Sequence, residues 1–99
     1  MMQFSEETRK KIEELCRKNK VRELSIFGSR ARGDNKPESD YDILVDFLPN
    51  SGIGLIEYCR LQIDLSEMLD AKVDLVTKKG LKEYVRDSVL SDAKIIYEA

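Results

Sequence analysis

Histidine is absent from this 99-residue chain. Its absence removes Ser-His-Asp and Cys-His nucleophilic machinery and any His-based zinc site, and leaves proton transfer to carboxylates, lysine, tyrosine or metal-bound water. Cysteine occurs only twice, at Cys16 and Cys59, without metal-ligand spacing or a disulfide-rich context. Both are expected as reduced, semi-buried core thiols of a cytoplasmic protein. No apolar run approaches the roughly 20 residues of a membrane helix, and the N-terminus shows no signal-peptide pattern. Charge of one sign is not in excess either. The chain carries 17 Lys+Arg against 19 Asp+Glu, a net charge of −2, so no extended nucleic-acid-binding surface is expected.

With 36% charged and 41% hydrophobic residues, what is present has the composition of an ordinary globular domain. The length suits one core but not separate catalytic and substrate-binding domains, so residues 1–99 are expected as a single unit. A second wall for any site then comes from a partner or from an oligomer. Ser5 is placed to cap a helix that opens on Glu6 and Glu7 and runs to about Asn19, with Thr8, Ile12, Leu15, Cys16 and Asn19 on its packed face. Val21 to Phe27 and Tyr41 to Phe47 read as strands. A long helix is expected from about Ile53 to Leu69. Leu55, Tyr58, Gln62, Leu65 and Leu69 lie on one stripe of it and Ile56, Cys59 and Ile63 beside them, a broad apolar face expected to cover the core. Lys72 to Thr77 reads as a short central strand, Leu81 to Val89 as an amphipathic helix, and Ile95 to Tyr97 as an edge strand. The alternation of helix and strand indicates an α/β fold with helices packed across a sheet.

The stretch FGSRARGDNKPESDYDILVDF, from Phe27 to Phe47, organises this chain. Gly28 and Ser29 follow the apolar end of the first strand, where a short helix begins and free backbone N–H groups favour an anion. Arg30, Arg32 and Lys36 lie close in sequence and supply the positive charge that a nucleoside triphosphate needs. Gly33, Asp34, Asn35 and Pro37 then form a loop, expected to be the mobile part. Asp40 and Asp42 open the second strand. Residues two apart in a strand share a face, so the two carboxylates stand roughly 7 Å apart and repel each other unless a cation lies between them. Magnesium suits such a pair, since it takes few protein carboxylates and completes its octahedron with water and phosphate oxygens. Asp46, roughly 13 Å along the same face from Asp42, is too distant to share that ion. An isolated Asp-x-Asp is more often a pair of turn and strand-edge residues; its coupling to Gly28-Ser29 is what makes it a site. A Walker loop is excluded because Gly33 is followed by Asp34, and an EF-hand because Leu44 and Val45 occupy positions that need a ligand and a glycine. Asp74, between Val73 and Leu75, is either a strand-edge aspartate or a functional carboxylate, because burying it unpaired is costly.

Gly28-Ser29, ten residues, then Asp40-Tyr41-Asp42 resembles the signature of the DNA polymerase beta-type nucleotidyltransferase superfamily. GSRARG followed by SDYDILV and a later VDLV is similar more closely to the minimal nucleotidyltransferases of the MntA-like antitoxin type, over nearly the whole chain. Tyr41 departs from the pattern, which has a smaller aliphatic residue there. The resemblance implies a mixed β-sheet with packed helices, the minimal polymerase beta-type fold, and makes Asp74 the third catalytic carboxylate. It implies that Asp40, Asp42 and Asp74 hold two Mg2+ ions and that Gly28, Ser29 and Arg30 bind the nucleotide, with ATP as the donor. The acceptor it implies is a tyrosine of a partner HEPN-domain ribonuclease toxin. Two alternatives stand beside this reading: a noncatalytic antitoxin that neutralises its partner by binding alone, and a nucleotidyltransferase acting on another acceptor.

Overall fold

A computed structural model describes residues 4–99. The first helix, α1, spans Glu6–Lys18, and the Ser5 hydroxyl accepts the Thr8 amide at 3.1 Å, so one donor of the first turn is satisfied as expected. Glu6 and Glu7 sit in its first turn and Arg17 and Lys18 in its last, each favourable to the helix dipole. Ile12, Leu15 and Cys16 are its buried residues.

The remaining elements are β1 (Val21–Phe27), α2 (Ser29–Arg32), β2 (Tyr41–Phe47), α3 (Leu55–Leu69), β3 (Val73–Thr77), α4 (Glu83–Asp92) and β4 (Lys94–Glu98). The four strands form one mixed sheet in the order β3-β2-β1-β4. β1 runs antiparallel to β2 and β4, whereas β2 and β3 are parallel. Parallel neighbours need a crossover, and α3 supplies it. Its amide end is tied by the Glu57 carboxylate, which accepts the Gly54 N–H at 3.0 Å, so the helix opens at Leu55, two residues after the expected Ile53. Leu24, Ile26, Ile43 and Val45 from the two central strands, with Val73 and Leu75 from β3, meet Ile12, Cys16, Leu61 and Leu65 in the core.

Three expectations change. β3 is an edge strand, not a central one, and Asp74 on it is exposed. Its carboxylate therefore does not bear the desolvation cost that burial in a central strand imposes. The broad apolar face of α3 is only half used. Leu61 and Leu65 are fully buried, but Leu55 and Ile56 are 76% and 73% exposed, and Cys59 and Ile63 are exposed too. The helix turns Leu61, which belonged to neither expected stripe, and Leu65 to the core, so Leu55 at the end of the expected stripe stays outside along with Ile56, Cys59 and Ile63. Hence the two thiols differ: Cys16 is buried, and burial followed by the nearby Glu13 charge pushes its pKa up to about 12, while Cys59 faces outward. Among the described residues no helix is long and apolar enough to cross a membrane.

Candidate active site

The site begins where β1 ends. Gly28 has φ 75° and ψ −153°, a conformation that residues with a Cβ rarely adopt, and it directs the chain into α2. The Gly28 carbonyl accepts the Ala31 and Arg32 amides at 3.1 and 3.0 Å, and the Ser29 carbonyl those of Gly33 and Asp34 at 2.9 and 3.1 Å. As the opening residues of the helix, Ser29 and Arg30 have N–H groups with no carbonyl a turn below them. Gly28 is needed for space as well as for its φ. A Cβ there would stand 2.4 Å from Oδ2 of Asp42.

That close approach is set by strand register. Asp42 is the antiparallel partner of Phe27, at the end of β1, and the parallel partner of Asp74 on β3. Leu44, two residues further on the same face, is buried beside the buried Ser25, so the strand beneath Asp42 is closed to solvent. Its pKa is raised above the usual 3.8, first by burial and then by the charges of Asp74 and Asp40, with Arg32 partly offsetting them. Asp40 and Asp74 are exposed. Asp40 has one weak cationic neighbour, Lys72 Nζ at 3.9 Å from Oδ2. The carboxylates thus feel one another, yet among the described residues no three acidic, cysteine or histidine side chains gather closely enough to hold a metal ion. Asp40, Asp42 and Asp74 are the residues that could hold a cation here, and such an ion would have to take the rest of its shell from water and phosphate.

The neighbouring arginines are held by the protein itself. Arg30 donates from Nε and Nη2 to the Ser39 carbonyl at 3.2 and 2.9 Å and from Nη2 to the Pro37 carbonyl at 3.2 Å, with its guanidinium 4.0 Å over the Tyr41 ring. Arg32 bonds Asp34 at 3.2 Å and Asp92 at 2.8 Å, tying α2 to the end of α4, and those bonds raise its pKa further. Lys36 is exposed. Two residues near the carboxylates had no place in the site expected from the sequence. Lys72 pairs with Asp40 because Val73 pairs with Tyr41, a register visible only once β2 and β3 are known to be parallel. Tyr58 on α3 donates its hydroxyl to the Leu75 carbonyl of the edge strand, and its pKa is raised first by burial and then by Asp74. A cavity of about 340 Å3 lies at the opposite ends of β2 and β3, lined by residues including Phe47, Ile53, Thr77 and Lys79. The carboxylate group lies outside it, on the open end of the sheet.

Residues 10–99 match the family model described as polymerase beta, nucleotidyltransferase. The chain belongs to that family. Among its relatives is the protein adenylyltransferase MntA of Thermococcus cleftensis, 42% identical over 74 residues that cover 73% of this chain and 71% of that protein. A toxin–antitoxin crystal structure with AMP-PNP contains a chain that superposes with a TM-score of 0.74 at 28% identity, covering 92% of this chain and 73% of that one. A chain of the complex between the tri-AMPylated Shewanella oneidensis HEPN toxin and MNT antitoxin superposes at 0.67 with 26% identity, covering 93% and 71%. The mixed sheet with packed helices is the minimal nucleotidyltransferase fold of this family, as the signature implied.

Proposed function

We propose that this chain, as a single nucleotidyltransferase unit of the cytoplasm, transfers AMP from ATP to a tyrosine hydroxyl of a partner HEPN toxin and thereby acts as its antitoxin. The observation that carries the reading is the position of Asp42, packed against Gly28 and in register with Asp74. A phosphate-type turn and crowded carboxylates therefore meet at one end of one sheet. Relatives named for protein adenylylation, and structural neighbours that pair an MNT antitoxin with an AMPylated HEPN toxin, support the same acceptor class.

Asp40, Asp42 and Asp74 would hold Mg2+, as two ions, which when bound neutralises the triphosphate and polarises its oxygens. Ser29, through its hydroxyl and amide, and Gly28, through its close-packed backbone, hold the departing phosphates. The acceptor oxygen forms a bond to the α-phosphorus as the bond to the β-phosphate oxygen breaks, and pyrophosphate leaves. Asp74, exposed at the sheet edge, takes the proton of the acceptor hydroxyl. Exposure of Asp40 and Asp74 means that water is excluded only when a macromolecular acceptor closes the site, which favours a protein substrate over a small one.

Incubating the protein with ATP, Mg2+ and the HEPN partner, followed by mass spectrometry, should show an added AMP mass on a partner tyrosine. Asp74→Asn should lose both the added mass and toxin neutralisation. Full neutralisation by this variant without added mass would show that binding alone disarms the partner, and the enzymatic reading would fall.

A further inference from the structure

We propose that Arg30 is a positioning residue, clamping from α2 the two chain neighbours of Asp40 and so setting where that carboxylate stands. The inference rests on the nucleotidyl-transfer reading for its catalytic consequence, and on geometry alone for the clamp. Asp40 is exposed, and among the described residues its one ion pair is the 3.9 Å contact with the exposed Lys72, a pair of a kind that fixes little. Its placement therefore depends on its backbone. That backbone ends a loop, Gly33 to Ser39, rich in turn formers and only partly closed by its own bonds: Ser39 N to Lys36 O at 3.0 Å, Lys36 N to Ser39 Oγ at 2.9 Å and Asn35 Nδ2 to Lys36 O at 3.3 Å.

Arg30 supplies what the loop lacks. The residue before Asp40, Ser39, gives its carbonyl to Nε and Nη2 together, and Pro37 gives its carbonyl to Nη2. The residue after Asp40, Tyr41, offers its ring face to the guanidinium. A planar fork can grip a carbonyl with two N–H groups and lie flat on an aromatic ring at once; a lysine ammonium cannot do both in that geometry. Arg30 is itself anchored, because Gly28 and Ser29 start α2 and the Ala31 side chain is buried. The clamp therefore ties Asp40 to the same turn that is to hold the phosphates, and fixes their separation.

Three variants test this: Arg30→Lys, Tyr41→Val and Tyr41→Phe. In the free protein, hydrogen exchange at residues 34–40 should quicken in Arg30→Lys and Tyr41→Val while the amides of β1 stay protected, and Tyr41→Phe should match the native protein. Unchanged loop exchange in Arg30→Lys would overturn the clamp whether or not the protein transfers AMP. In transfer assays Arg30→Lys should lower kcat by about 10 to 100-fold, as loss of a supporting contact does at metal-ligand sites, with KM for ATP within about twofold. A raised KM with unchanged kcat would return Arg30 to the nucleotide-binding role that the resemblance implies and overturn the positioning role. If the native protein transfers nothing, the functional reading fails, and Mn2+ affinity in the presence of AMP-PNP replaces kcat: weaker binding in Arg30→Lys supports positioning, equal binding refutes it.

Discussion

The strand β2 is two regions in one. Towards its end, Ile43 faces Ile26 and Leu75, and Val45 faces Leu24 and Thr77, with Ile43 and Val45 fully buried. At its start, Asp42 faces Phe27 and Asp74, with Asp40 two residues away. The first region is satisfied: every contact there removes apolar surface from water. The second is in conflict, since a partly desolvated carboxylate stands among like charges. Removing a side chain from the first should therefore weaken the fold, and removing a charge from the second should not. A site that pulls against itself can exist because the core a few ångströms away holds it in place.

The largest break in this contrast is Ile43→Ala, which leaves a cavity at the centre of the sheet. Loss of a buried Ile to Ala costs about 2–5 kcal/mol, so urea midpoints should fall sharply; a loss well below 1 kcal/mol would mean that the core is not concentrated at these strands. Next comes Gly28→Ala, which touches both regions. The φ of 75° and the 2.4 Å approach to Asp42 Oδ2 predict a loss of about 1–3 kcal/mol from backbone strain, together with a displaced Asp42 and impaired AMP transfer. Native-like transfer by this variant would show that the turn and Asp42 are not one unit.

The smallest effect sharpens the contrast by its sign. In the folded chain Asp42 keeps its proton to a higher pH than the usual 3.8. Its contribution to stability is thus fully present below 3.8 and is lost as pH rises through the elevated folded value. Asp42→Asn removes that decline. At pH 7 without magnesium the variant should be equal to or slightly more stable than the native protein, with the gap closing as the pH falls towards 3.8, while AMP transfer is abolished. Paired urea titrations from pH 3 to 7 at fixed ionic strength check this, and a variant less stable at neutral pH would contradict the assigned conflict.

Much of this architecture can be read along the chain. Spacing of apolar residues, Ser5 as a cap and the punctuation by Gly28, Gly33 and Pro49 place the strands β1 and β2 at their observed limits and α1 within a residue. Asp40 lies just ahead of β2, where strand alternation does not reach, whereas the Gly28-Ser29 turn at the end of β1 needs no more than its own residues to be recognised. These features are local: they depend on residues within one element or one turn, where backbone geometry repeats regularly. Other features depend on partners far apart in sequence, and no periodicity encodes them. Strand order put β3 at the edge and left Asp74 exposed; register set Asp74 beside Asp42 and Lys72 beside Asp40. On α3, contact with the core buried Leu61, which lay in neither of the stripes read from the sequence, together with Leu65, and left Leu55, Ile56, Cys59 and Ile63 outside. Tyr41, a departure from the signature when read alone, became the ring beneath Arg30, because a long flexible side chain takes its partners from whatever the folded chain brings within its reach.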